Sequence, residues 1–192
     1  MFARYLRPSL CLLFAMTMLL GIVYPLAMTG VARAVFPSQA AGSLIHHGSV
    51  LVGSSLIGQN FADPKYFWGR PSATAPQPYN GLGSSGSNLG PLNPALIDKI
   101  AAQVKLLREA DPGNTNPVPV DLVTASASGL DPEISPAAAE YQASRVARAR
   151  NIRLAAVQAL IAQHRTPALF EVLGEARVNV LELNLALDSL VE

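Results

Sequence analysis

The sequence predicts a small α+β domain carried behind one N-terminal transmembrane helix. Three observations point there: a long charge-free apolar run near the N-terminus, a following stretch of 158 residues of ordinary polarity, and helix-capping signatures that alternate with short β-patterned segments. Residues 8–32 contain no charged side chain over 25 positions, with Arg4 and Arg7 before them and Arg33 after. At about 1.5 Å per helical residue this run reaches about 37 Å, enough to cross a hydrocarbon core of about 30 Å with some tilt. The expected organisation is residues 1–34 as a cytoplasmic tail and transmembrane helix. Residues 35–192 then form one extracytoplasmic domain, long enough to bury its own core.

Arg4, Arg7 and the terminal amine outweigh Arg33, and basic residues favour the cytoplasmic side, so the tail is expected inside and the domain outside. A cleaved signal peptide is the alternative, because Ala32-Arg33-Ala34 matches a small-x-small site. Signal segments, however, hold about 7–15 apolar residues, fewer than this run. Cys11, the only cysteine, lies inside the run, so the domain has no thiol for a disulfide or a thiolate metal site. Pro25 cannot donate to the carbonyl of Gly21, which predicts a kink there. Thr17 and Gly21 form a small-xxx-small pair suited to close approach of another helix.

Beyond the span, residues 42–58 alternate apolar and small polar groups around Gly48-Ser49 and read as a hairpin. Residues 61–94 are rich in Gly, Ser, Pro and Asn with aromatics at their start, the pattern of a long ordered loop lying against something. Asn93-Pro94 opens a helix with Leu96, Ile100, Val104 and Leu107 as its apolar stripe, ended by Asp111-Pro112-Gly113. Residues 118–124 read as a short buried strand. Ser135-Pro136 opens a second helix running to about Arg150, and a third covers about 153–164 with Val157, Leu160 and Ile161 inward. At the C-terminus Leu181, Leu183, Leu185 and Leu187 alternate like a strand, whereas Asn179 followed by Glu182 is a cap-like pair; the reading favoured is a short strand over 177–180 and then a helix.

Composition excludes some functions. Beyond residue 34, eleven basic and thirteen acidic side chains give a formal net charge of −2, with no basic tract, so nucleic-acid binding has no electrostatic footprint. The Gly/Ser-rich stretch 79–90 lacks the Lys and Ser/Thr that a nucleotide loop places after its last Gly; Pro91-Leu92 follow instead. Ser126 and Ser128 lack the flanking glycines of an esterase elbow. His46 and His47 are adjacent, and neighbouring strand side chains point to opposite faces, so they do not readily share a metal ion.

Two constellations remain. Arg145, Arg148 and Arg150, with Arg153 beyond, form either a solvated helix face or a docking surface for acidic residues of a partner. Residues 63–72 place Tyr66, Phe67, Trp68 and Arg70 in one proline-bounded segment. These are the residue types that carry interface energy, or else plug the domain's own core.

At these residues the chain resembles the KdpC family, the C subunits of the bacterial Kdp potassium-transporting ATPases. The matching stretches are residues 53–59, 66–72, 84–91, 120–131, 145–147 and 177–184. The chain departs from the family pattern at Asn151, where Gly is expected, and at Ala176, where Pro is usual. The resemblance implies a non-catalytic accessory or assembly subunit in the bacterial inner membrane. Its partners would be a potassium-conducting subunit, an ATP-hydrolysing subunit and a small membrane subunit. It also implies a catalytic chaperone that raises ATP affinity, with ATP associated at family level and potassium as the transported ion. No cofactor is expected to bind this domain directly, since an outer domain is out of reach of cytoplasmic ATP. The contact candidates are Tyr66, Phe67, Trp68, Arg70, Ser85, Asn88, Arg145 and Arg148, with Thr17, Gly21 and Pro25 packing in the membrane and no metal ligands. The rival readings are a direct ATP-binding subunit, a membrane-anchored hydrolase using Ser126 or Ser128 with His164, and a secreted binding module released after Ala34.

Overall fold

A computed structural model describes residues 2–190. The chain divides into two compact units, Met1–Val52 and Gly53–Glu192.

The first unit is dominated by one helix. Its α1 (Phe2–Met18) and α2 (Tyr24–Val35) are joined by a π-helical turn, Leu19–Val23. The span Arg4–Val35 is 32 residues long, and its most apolar 18-residue window has a mean hydropathy of 2.2 with no residue buried, so it is long and apolar enough to cross a membrane. The break expected at Pro25 takes the form of the wider turn. Proline cannot serve the Gly21 carbonyl, and the Tyr24 N–H instead reaches back five residues to the carbonyl of Leu19. Within the helix, the hydroxyls of Ser9 and Thr29 donate to the carbonyls of Tyr5 and Pro25 at 2.8 and 2.7 Å, which leaves neither unsatisfied in an apolar surrounding. After the short α3 (Pro37–Ala40), β1 (Leu44–His47) and β2 (Val50–Ser54) form the expected hairpin. Gly48 takes a left-handed φ of 60° at the turn.

The second unit is built around α5 (Pro136–Arg150). Its N-terminus is capped as its sequence requires, with the Ser135 hydroxyl accepting from the Ala138 N–H at 3.0 Å and Pro136 in the first turn. Ala138, Ala139, Ala143, Val146 and Ala147 are buried, and the small residues permit close approach by neighbouring elements. Helix α6 (Leu154–Gln163) contributes Val157, Leu160 and Ile161, as its spacing predicts, and α7 (Val180–Ser189) contributes Leu183 and Leu187. A three-stranded antiparallel sheet, ordered β3 (Glu133–Ile134), β5 (Arg177–Asn179), β4 (Arg165–Thr166), completes the core; Ile134 and Val178 face each other across it. The C-terminal strand and helix are as expected, with the Asn179 side chain accepting from the Glu182 N–H at 3.1 Å.

Helix α4 (Pro94–Ala110) is also present with its Asn93 cap, but of its predicted stripe only Leu107 is fully buried. Residues 118–124 form no strand. A single 3₁₀ turn covers Val120–Leu122, with Leu122 buried and Val120 exposed. Pro117 and Pro119 remove two backbone donors, and the amides of Leu122 and Val123 close locally on the carbonyls of Pro119 and Val120. Asn151 closes α5 in the left-handed conformation, φ 56°, which explains why glycine suits that position and why asparagine is an acceptable substitute.

Candidate partner-contact site

The segment 63–72 has no regular secondary structure, so its buried backbone polar groups need other partners. Two amide side chains on facing helices supply them. Asn184 of α7 accepts from the Phe67 N–H at 2.8 Å and donates to the Phe67 carbonyl at 3.0 Å. Gln142 of α5 does the same for Trp68, at 2.8 and 3.1 Å. Each amide reproduces what a neighbouring strand would offer, so the chain is held like a sheet edge without a sheet. Phe67 is thereby fully buried and Trp68 nearly so.

Two arginines finish the enclosure. Arg145 lies over the Trp68 ring, 4.3 Å from its centroid, and donates to the carbonyls of Pro64 and Tyr66 and to Gln142 Oε1. Burial lowers its pKa to about 10, so it is still cationic at neutral pH. Arg150 lies 4.8 Å from the Tyr66 ring centroid, donates to the Lys65 carbonyl at 2.8 Å and pairs with Asp188 at 2.6 Å; Tyr66 donates to the same carboxylate. Arg148 pairs with the buried Asp111 just past the end of α4. Arg145 and Arg150 thus clamp the segment, while Arg148 keeps an exposed, ion-paired surface.

Arg70 points the other way. It pairs with Asp131 at 3.1 Å and donates to the carbonyls of Thr124 and Ala125, at the side of an open cleft of about 860 Å³. Asp121, Glu133, Glu175 and Arg177 also line that cleft. Below Arg70, the Ser72 hydroxyl donates to the Gly129 carbonyl at 2.7 Å and accepts from the N–H of Tyr79. Tyr79 donates to the Arg70 carbonyl at 2.6 Å; desolvation, with the charge of Asp131 adding, pushes its pKa up to about 12. The Gly/Ser loop is fastened by further bonds, Ser85 N–H and the Ser84 hydroxyl both donating to the Ser128 carbonyl. Gly129 holds φ +66°, and a methyl group there would meet the Ser85 carbonyl oxygen at 2.5 Å.

Among the eight contact candidates, Phe67, Trp68 and Arg145 are therefore enclosed by the domain itself, and Tyr66 and Arg70 are half-buried and paired. Arg148 is ion-paired on its exposed surface, while Ser85 and Asn88 are exposed. In the span, Thr17 and Gly21 are exposed, and a methyl group at Gly21 would meet nothing. Gln142 and Asn184, the residues that hold the segment, carry no role in the sequence reading; Asn184 only closes the family-matching stretch 177–184, and Gln142 is marked by nothing more than a polar amide on a largely apolar helix face. In the loop 79–90, the N–H groups of Asn80, Leu82, Gly83 and Ser85 donate to Thr74, to Asn80 and to Ser128. The hydroxyls of Ser126 and Ser128 accept from the N–H groups of Gly129 and Leu130, the pattern of turn-closing side chains. Among the described residues no group of three or more His, Cys, Asp or Glu is placed to hold a metal ion.

A family model described as "KdpC: K+-transporting ATPase, c chain" matches residues 6–189. The chain belongs to the KdpC family. Relatives named potassium-transporting ATPase KdpC subunit include one from Variovorax paradoxus, 65% identical over 96% of this chain and 95% of its own length. Others are from Polaromonas naphthalenivorans, 64% identical over 96% and 94%, and from Ralstonia nicotianae, 58% identical over 96% and 91%. KdpC membership extends from the apolar helix to the last turn of α7, so the clamped segment and the membrane helix belong to one family pattern rather than to a fusion. One helix long and apolar enough to cross a membrane, joined to a small α+β domain, fits a single-pass inner-membrane subunit of a potassium-transporting ATPase complex.

Proposed function

We propose that this chain is the non-catalytic accessory subunit of an ATP-driven potassium uptake complex. It is anchored by its N-terminal helix with the tail in the cytoplasm and the α+β domain outside, and it stabilises the assembly of the potassium-conducting, ATP-hydrolysing and small membrane subunits. The observation that carries the reading is the family match over residues 6–189, together with relatives named potassium-transporting ATPase KdpC subunit that align with 96% of this chain. The placement of Arg4 and Arg7 ahead of the span supports the orientation. Tyr66, Arg70, Ser85, Asn88 and Arg148, which keep exposed or half-exposed surface, are the contact candidates this reading retains.

A catalytic-chaperone role, raising the ATP affinity of the hydrolysing subunit, would be exerted through the complex and not by a phosphate site in this domain. The internal hydrogen bonds of the Asn80, Leu82, Gly83 and Ser85 N–H groups support that division. Any such coupling runs through the span or through partner subunits, and is reciprocal between potassium and ATP sites. A reporter active only outside the cytoplasm, fused after Glu192, tests the topology: activity is expected, whereas activity only of a cytoplasmic reporter overturns it. Measuring ATP affinity of the complex with the domain deleted but residues 1–41 retained tests the domain's part in the chaperone role; unchanged affinity removes that part.

A further inference from the structure

Residues 169–173 place four exposed apolar side chains on one short turn of the folded domain. Leu169, Phe170, Val172 and Leu173 are 60, 81, 80 and 60% exposed, while Phe67, of the same type as Phe170, is fully buried. The feature is built, not frayed. Leu169 and Leu173 exchange two backbone hydrogen bonds of 2.9 Å, and the N–H groups of Glu171 and Val172 close on the carbonyls of Ala168 and Leu169. Phe170 and Glu171 both hold left-handed φ values, 54° and 61°, which side-chain-bearing residues rarely adopt. The tip is the outer end of the β4–β5 ribbon, whose pairings run Arg165 with Val178 and Thr166 with Arg177, so its base is the core residue Val178.

We propose that this tip is a docking knob, and that its occupant is an apolar pocket with a basic rim on another subunit of the potassium-transporting complex. The inference rests on the subunit reading above. Glu171 decides between occupants. It stands at the apex between Phe170 and Val172, so entry into hydrocarbon would carry a carboxylate with it, and anionic headgroups would repel it. Pairing of two copies tip to tip would set Glu171 against its counterpart, an unfavourable like-charge contact. A pocket with a Lys or Arg at its mouth satisfies both the apolar side chains and the carboxylate. Because the turn is already closed by its own hydrogen bonds, little ordering cost remains for binding.

The test uses the full chain co-expressed with the other subunits of its own complex, with a photo-reactive phenylalanine analogue at position 170. Illumination of membranes is expected to join the chain to another subunit. Phe170→Ser with Val172→Ser is expected to lower the partner co-purified about tenfold or more, as for a hot spot. Glu171→Lys should weaken it more at low than at high salt. The thermal midpoint of each purified variant, expected unchanged because the residues are exposed, shows that folding is intact. Cross-links only to lipid, only to a second copy of this chain, or to nothing overturn the docking knob while a co-purifying complex leaves the subunit reading standing. A chain that never co-purifies with the complex overturns both.

Discussion

Residues 63–72 and residues 167–174 are both short irregular segments, bounded by proline or glycine and rich in large apolar side chains, yet Phe67 is fully buried and Phe170 is 81% exposed. Hydrophobicity does not separate them. What separates them is the source of backbone hydrogen bonds. The first segment borrows its partners from Gln142, Asn184 and Arg145 on α5 and α7, which draws it inward. The second closes its amides on itself, which lets it stand free of the core. A loop's burial is thus decided by polar groups on its neighbours as much as by its own apolar content.

The largest test of that contrast is Gln142→Leu. It strands the N–H and C=O of Trp68 in the core and removes an acceptor from Arg145, so a loss of about 4 kcal/mol is expected in denaturant unfolding of the purified chain. Phe170→Ser in the free segment should change stability by less than about 0.5 kcal/mol. A small loss for Gln142→Leu would mean that water replaces the amide and that the segment is not sealed.

Glycines sharpen the same comparison. Gly129 and Gly174 both hold left-handed φ, +66° and +83°, but a methyl group at Gly129 meets the Ser85 carbonyl at 2.5 Å, whereas one at Gly174 meets nothing within 4 Å. Gly129→Ala is expected to cost about 3 kcal/mol, from backbone strain and a backbone clash together, and Gly174→Ala about 1 kcal/mol, from strain alone. Equal thermal shifts would show that the 79–90 and 126–129 loops give way easily.

Arg145→Lys follows, at about 2 kcal/mol. An ammonium keeps the charge but lacks the planar face that lies on Trp68, and it cannot serve Pro64, Tyr66 and Gln142 at once. A double-mutant cycle with Trp68→Leu measures the stacking part; zero coupling would remove it.

Much of the architecture was legible because its signals are local. Asn93-Pro94, Ser135-Pro136 and Asn179 each cap a helix where the sequence places one, and the charge-free run marks the span directly. The strand read over 118–124 failed because apolar content was weighed above Pro117 and Pro119, which deny the backbone donors a ladder needs. The site was less legible, since its supports lie far apart in sequence. Trp68 and Gln142 are 74 positions apart, Phe67 and Asn184 117. No local pattern pairs them, and an amide on a helix reads as surface until the segment opposite is known. The α5 arginines were hard to place for the same reason: their acceptors are carbonyls of residues 64–66 and the carboxylates of Asp111 and Asp188, none of them near in sequence.

A smaller effect than that of Arg145→Lys tests whether the Arg70 side of the domain is as dry as the Trp68 side. Tyr79→Phe removes one hydrogen bond, to the Arg70 carbonyl, and should cost about 1 kcal/mol at neutral pH. Its pH dependence is more telling. The folded chain keeps the phenol proton to about pH 12, whereas the unfolded chain releases it near 10. The stability this contributes is complete below pH 10 and is lost as pH rises through about 12. Arg145, held down to about 10 by burial, acts with the opposite sign in the same window but is common to both proteins. The difference between wild type and Tyr79→Phe therefore isolates the phenol: the gap in thermal midpoint should narrow as pH rises from 10 and change sign before 12. A constant gap would mean that water reaches the Tyr79 hydroxyl, and that the loop around it is held less firmly than the clamped aromatic segment.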